Sequence, residues 1–144
     1  MFFFSKRNRI IKKAVAKTVR EYGDRTPRIY QHFFYGAVDM APQNLVVWYL
    51  FETDSELKTA ETSGVCNELQ EMTVKNLLLF GYPEEAFERS HADTPANKFM
   101  IQAETKEDIQ AFPYSLNNKK VMISFTTKED IDKKADGDYH LYFQ

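Results

Sequence analysis

The amino-acid sequence predicts an α+β fold: a mixed, mainly antiparallel sheet of about five strands, with an N-terminal amphipathic helix and a long central helix packed on it. Three stretches carry that expectation. From Ser5 to Tyr22, apolar residues recur at helical spacing. "LVVWYLF", starting at Leu45, is an unbroken apolar run of strand formers. From Thr53 to Phe80, a capped stretch repeats apolar residues at helical spacing again.

Taken in order, Ser5 can accept a hydrogen bond from the first helical turn, and Gly23 can stop the helix. Phe4, Ile11, Val15, Thr18 and Tyr22 fall on one face, flanked by Ala14 and Val19, with Arg9, Lys13, Lys17 and Arg20 opposite. "DRTP" is a turn. "RIYQHFFYGAVDM" reads as a strand and "APQN" as the turn before "LVVWYLF". A strand apolar on both sides belongs in the middle of a sheet, and so short a loop favours an antiparallel pair.

Thr53 and Glu56 have the spacing of a capping box opening one long helix. Thr62-Ser63-Gly64 is its weak point, where a kink or a close backbone contact is expected. Gly81 and Pro83 end it, "PEEAFERS" opens a short helix, and "HADTPAN" is a loop. "KFMIQAE" and "KKVMISFT" read as strands, each leading through a threonine (Thr105, Thr127) into acids and a helix; the two connected strands could lie parallel. The phrases "MIQAETKEDIQ" and "MISFTTKEDID" thus repeat one capping grammar, also used at Thr53, rather than a duplicated site. After "DGD", the ending "YHLYFQ" reads as a final strand. It resembles the engineered protease site ENLYFQ, but Tyr139 and His140 replace its Glu and Asn, so it reads as native.

The 144 residues suit one domain, in which residues 1–23 form a basic helix and residues 24–144 an acidic body. Lys6, Arg7, Arg9, Lys12, Lys13, Lys17 and Arg20 face only Glu21 in that helix; the other twelve Lys and Arg stand among twenty Asp and Glu. Aromatic residues make up 15% of the chain, more than a core of this size requires, which favours an interface. The single cysteine, Cys66, rules out an internal disulfide and reads as a small buried hydrophobe. The N-terminus puts aromatics before charges, unlike a secretory signal, and no apolar run is long enough to span a membrane. The cytoplasm is the expected location.

Candidate chemistry is sparse. There is no serine elbow, no glycine-rich phosphate loop and no His-x-x-x-His or Cys-x-x-Cys spacing. Asp54 and Glu56, Glu107 and Asp108, and Glu129 and Asp130 occupy the helix starts where a phosphate would settle, so no nucleotide is expected. These acids could bind a cation only by converging from two junctions, so no metal and no cofactor are expected. His91 and Asp93 are a two-residue coincidence. His32 and His140 form a polar site only if their strands are neighbours; that is the basis for an enzyme reading. "HFFYGAV" lacks the basic-Gly-aromatic-Gly order of RNA-binding sheets, and an acidic body disfavours nucleic acid.

The expected function is a small non-catalytic intracellular interaction module, binding another protein or itself. One alternative is a small enzyme with a His and carboxylate site not visible in the sequence; the other is a peripheral binder of anionic membrane or nucleic acid. It would use Lys6, Arg9, Lys13, Lys17 and Arg20 of the basic helix, with Phe2, Phe3 and Phe4 entering the lipid across residues 1–20.

Overall fold

The computed structural model describes residues 5–87 and 121–143. The strand expected at "KFMIQAE", the cap at Thr105, the loop at "HADTPAN", His91 with Asp93, and Phe2–Phe4 lie outside them. Among the described residues the order is helix α1 (Lys6–Tyr22), strand β1 (Gln31–Tyr35), a 3-10 turn (Pro42–Asn44) and strand β2 (Val46–Phe51). Helices α2 (Asp54–Thr62) and α3 (Val65–Leu79), a second 3-10 turn (Glu84–Ala86) and strand β3 (Met122–Thr127) follow. Helices α4 (Lys128–Ala135) and α5 (Tyr139–Tyr142) complete the order.

The sheet runs β1-β2-β3, with β2 in the centre as its apolar run requires. β1 pairs antiparallel with β2, placing Phe33 opposite Trp48 and His32 opposite Tyr49. β2 pairs parallel with β3, placing Tyr49 opposite Phe125 and Phe51 opposite Thr127. The sheet is mixed, and the described residues hold three strands rather than five. One shortfall has a visible cause: "YHLYFQ" turns as helix α5 instead of extending. Asp138 caps it by accepting from the Leu141 amide at 3.1 Å. Tyr142 and Phe143 then fold onto the sheet. A six-residue apolar run carries too few periods to separate a strand from one helical turn.

Alternation along the strands separates two faces. His32, Phe34, Val47, Tyr49, Phe51, Ile123 and Phe125 lie on the first; Phe33, Tyr35, Val46, Trp48, Leu50, Met122 and Thr126 on the second. α1 and α3 pack on the first face against each other. α1 forms as the spacing requires: Ser5 Oγ accepts from the Asn8 amide, the Gly23 amide returns to the Val19 carbonyl, and Ile11, Ala14, Val15, Thr18 and Tyr22 are buried. Removing an isoleucine of that kind from water contributes about 1.5–3 kcal/mol, so α1 is core.

The expected long central helix is two helices. Thr53 and Glu56 make the capping box of α2. Gly64, at φ +86°, then breaks the run and caps α3. A side chain there would meet nothing within 4 Å, so backbone conformation rather than close contact requires the glycine. α2 and the start of α3 bury Ala60, Val65, Cys66 and Leu69 with Tyr22 and Phe51.

A polar thread runs through this interface. Thr18 donates to the Ala14 carbonyl and accepts from Asn76 Nδ2 at 2.9 Å. Thr73 donates to the Leu69 carbonyl, which makes the Tyr49 hydroxyl the donor to Thr73 at 2.7 Å. No buried side-chain N or O among the described residues lacks a partner. Each unmade bond there would cost about 1–3 kcal/mol, so the thread fixes how α1, β2 and α3 meet.

On the second face sit α4 and α5. Phe143 packs edge-on to Phe33 at 5.1 Å and against Trp48 at 4.9 Å. Tyr142 shares a hydrogen bond with Thr126 at 2.7 Å and donates to Asp130.

Candidate functional site

Two places on this framework have the form of a site. The first is the end of the sheet where parallel strands β2 and β3 feed α2 and α4. Parallel strands leading into helices often bind ligands there, because helix N-termini offer free amides and partial positive charge. Here several of those amides are occupied. The Asp54 amide donates to Glu129 Oε1 at 2.8 Å, and Thr127 Oγ1 donates to Asp54 Oδ1 at 2.6 Å. Thr127 Oγ1 also accepts from the Asp130 amide at 2.9 Å, while the Glu129 amide donates to the Glu52 carbonyl at 3.0 Å. Lys133 Nζ lies 3.4 Å from both Asp54 and Glu129 and neutralises part of the acid. The Thr127 hydroxyl, and then Lys133, hold the Asp54 carboxyl below its ordinary range; hydrogen bonding to Asp54 correspondingly raises Lys133. Glu129 and Asp54 thus cross-link the two helix starts. Among the described residues no three His, Cys, Asp or Glu side chains are placed to hold a metal.

The second place is the open side of β1. Strand β1 is an edge of the sheet formed by the described residues, and three of its five residues are exposed. Between it and α1 lies a groove of about 540 Å³, lined by Asn8, Lys12, Val15, Ala16, His32, Phe33, Phe34 and Tyr35. Asn8, Lys12 and Ala16 follow one another at four-residue intervals along one stripe of the helix. Ala16 offers only a methyl, so the helical wall recedes there. The His32 ring lies 6.5 Å from the buried Tyr49 ring, and desolvation lowers its pKa from the ordinary imidazole value. On the second face, Tyr35 lies beside Trp48, whose indole N–H donates to the Tyr35 hydroxyl at 3.0 Å. β1 ends at Gly36, at φ +127°, where a Cβ would come within 2.1 Å of the Asn44 carbonyl oxygen. Backbone contact therefore fixes how the strand leaves the sheet.

The basic helix residues divide. Lys17 is tied to Glu21 at 3.1 Å, and Arg7 donates to the Val38 carbonyl at 2.8 Å. Lys6, Arg9, Lys13 and Arg20 are exposed and make no ion pair with a described residue. At 100° per residue, Arg9, Arg20 and Lys13 follow directly beyond Ala16 around the helix, so they flank its helical wall as a cationic rim outside the lining residues. His32 and His140 do not come together: His32 is on the first face, and His140 is exposed on α5, which covers the second. Cys66 is buried in α3, with its thiol pushed up to about 11 by burial and by Glu61.

Sequence reasoning found the cations and His32 but missed Asn8, Lys12, Ala16, Phe34 and Tyr35 as a group. The one local signal was the Asn8-Lys12-Ala16 stripe bordering the apolar face of α1. Its meaning depends on which strand lies opposite. No described helix is long and apolar enough to cross a membrane. The chain matches no family model, and neither the curated proteins nor the solved structures contain a match to it.

Proposed function

We propose that this protein is a non-catalytic interaction module that takes another polypeptide along β1. The observation that carries the reading is the edge position of β1 among the described strands, with an apolar groove directly beside it. An edge strand presents every second N–H and C=O outward, and an added strand satisfies them while its alternate side chains enter the flanking groove. The junction of β2 and β3 is a poor rival, since a carboxylate and a hydroxyl of the protein itself hold the Asp54 and Asp130 amides there.

A titration of the isotopically labelled chain with a panel of extended peptides tests the reading. Amide shifts confined to residues 31–35 and to 8–16 are the expected result. Shifts concentrated around Thr53 and Thr127, or none across the panel, would remove it.

A second reading has one observation in its favour: Lys6, Arg9, Lys13 and Arg20 stand exposed on one side of α1. Such a side can meet an anionic membrane. The apolar side of α1 is core, so contact with lipid through the helix would rest on these charges, without insertion by that face.

A further inference from the structure

We infer that the segment which docks on β1 is an acidic stretch of a different polypeptide, held by main-chain pairing to the strand and by its carboxylates against α1. This rests on the reading of β1 as the docking edge and adds the chemistry of the occupant.

Three observations lead to it. The groove floor is apolar where Val15, Phe34 and the receding Ala16 meet, while Lys12 lines its helical wall. Its outer rim carries Arg9, Lys13 and Arg20, whose guanidinium and ammonium groups have no ion pair with a described residue. Spacing also agrees. Residues on one side of an added strand repeat every ~6.6 Å, and α1 side chains four apart, such as Arg9 and Lys13, repeat every ~6 Å. Helix and strand line the groove together from Asn8 to Ala16 and from His32 to Tyr35, so carboxylates on alternate residues can meet successive helical turns.

The same charges argue against a second copy as the occupant. Antiparallel pairing of two β1 strands would form one continuous sheet with both α1 helices on its first face, side by side. Arg9, Lys13 and Arg20 of each copy would then face those of the other, and like charges across an interface oppose association. A partner with carboxylates at those places removes the repulsion and gains attraction. Because these cations are at the rim, their contribution is salt-sensitive and acts first on the rate of encounter.

The test uses the full chain and two synthetic peptides of about eight residues. One alternates glutamate with valine and the other lysine with valine, so that either can present charge to α1 whichever way it pairs. Binding is read by anisotropy and by amide shifts, at low and at physiological salt, for the wild type and for an Arg9→Glu, Lys13→Glu variant whose melting confirms that it is folded. The glutamate peptide is expected to shift residues 31–35, to weaken roughly tenfold or more in the variant, and to weaken with salt, while the lysine peptide prefers the variant. Equal binding of both peptides at β1 would overturn the acidic assignment and leave β1 as the docking edge. If neither peptide shifts β1, the docking reading falls as well. Binding of phosphatidylserine vesicles without any peptide shift at β1 would reassign the cations to a membrane surface.

Discussion

The two candidate places differ in what their backbone groups are doing. At the junction of β2 and β3 the topology resembles a ligand site, yet Glu129, Thr127 and Asp54 already bond the helix starts to one another. At β1 nothing in the local sequence announces a site, yet among the described residues a strand edge and an apolar groove lie together, with exposed cations of α1 flanking the helical wall. Topology shows where helix dipoles point; the hydrogen-bond inventory shows whether anything is left to bind. The acidic capping residues convert the obvious opening into a structural cross-link, while the sheet margin at β1 offers a surface for recognition.

Ways to break this contrast differ in size. The largest expected effect is at α1, the wall of the groove. Ile11 is fully buried, so Ile11→Ala should cost about 2–5 kcal/mol in denaturant unfolding. A loss below about 0.5 kcal/mol, the range of neutral surface changes, would mean that α1 is an appended arm and the groove has no fixed wall. Thr127→Ala comes next. It removes the cap of α4 and the donor to Asp54, and should cost about 1–2 kcal/mol while leaving peptide binding at β1 unchanged. Coupling between that substitution and binding would merge the two regions that the account separates.

Acid should then distinguish the regions by pH. His32 has a lowered pKa in the folded chain, so the unfolded chain binds its proton first. Its contribution to stability is complete above the ordinary imidazole pKa of about 6.5 and is lost as pH falls from there through the folded value. Asp54 is also lowered, so its contribution is complete above the ordinary carboxylate range and is lost only in stronger acid. Melting followed against pH should therefore decline in two stages. His32→Gln should remove the first and Asp54→Asn should reduce the second. A single decline untouched by either substitution would contradict the assignments. The smallest stability effect belongs to the rim: Arg9→Glu should change unfolding by no more than about 0.5 kcal/mol while weakening an acidic peptide.

Local grammar made much of the fold legible. Ser5, Thr53 and Thr127 cap the helices they were read to start, Gly23 stops α1, and β2 is central because both of its faces are apolar. Three features were not legible in the same way. Pairing of β3 beside β2 joins residues more than seventy positions apart, which no short window contains. The residues from Tyr139 to Tyr142 have too few periods to show a helix. Thr62-Ser63-Gly64 is a weak point by composition, but only the positive φ of Gly64 distinguishes a change of conformation from a close contact. For the candidate site, the exposed cations of α1 were visible in the charge pattern. The groove was not, because it is lined by residues of two elements, α1 and β1, that are distant in sequence.

Native-state amide exchange on the unliganded chain compares the two regions most directly. The Asp54 and Asp130 amides, held by Glu129 and Thr127, should exchange slowly, and every second amide of β1 should exchange quickly beside slow neighbours. Uniform protection along residues 31–35, with rapid exchange at Asp54 and Asp130, would show a covered edge and open helix starts and would contradict this arrangement.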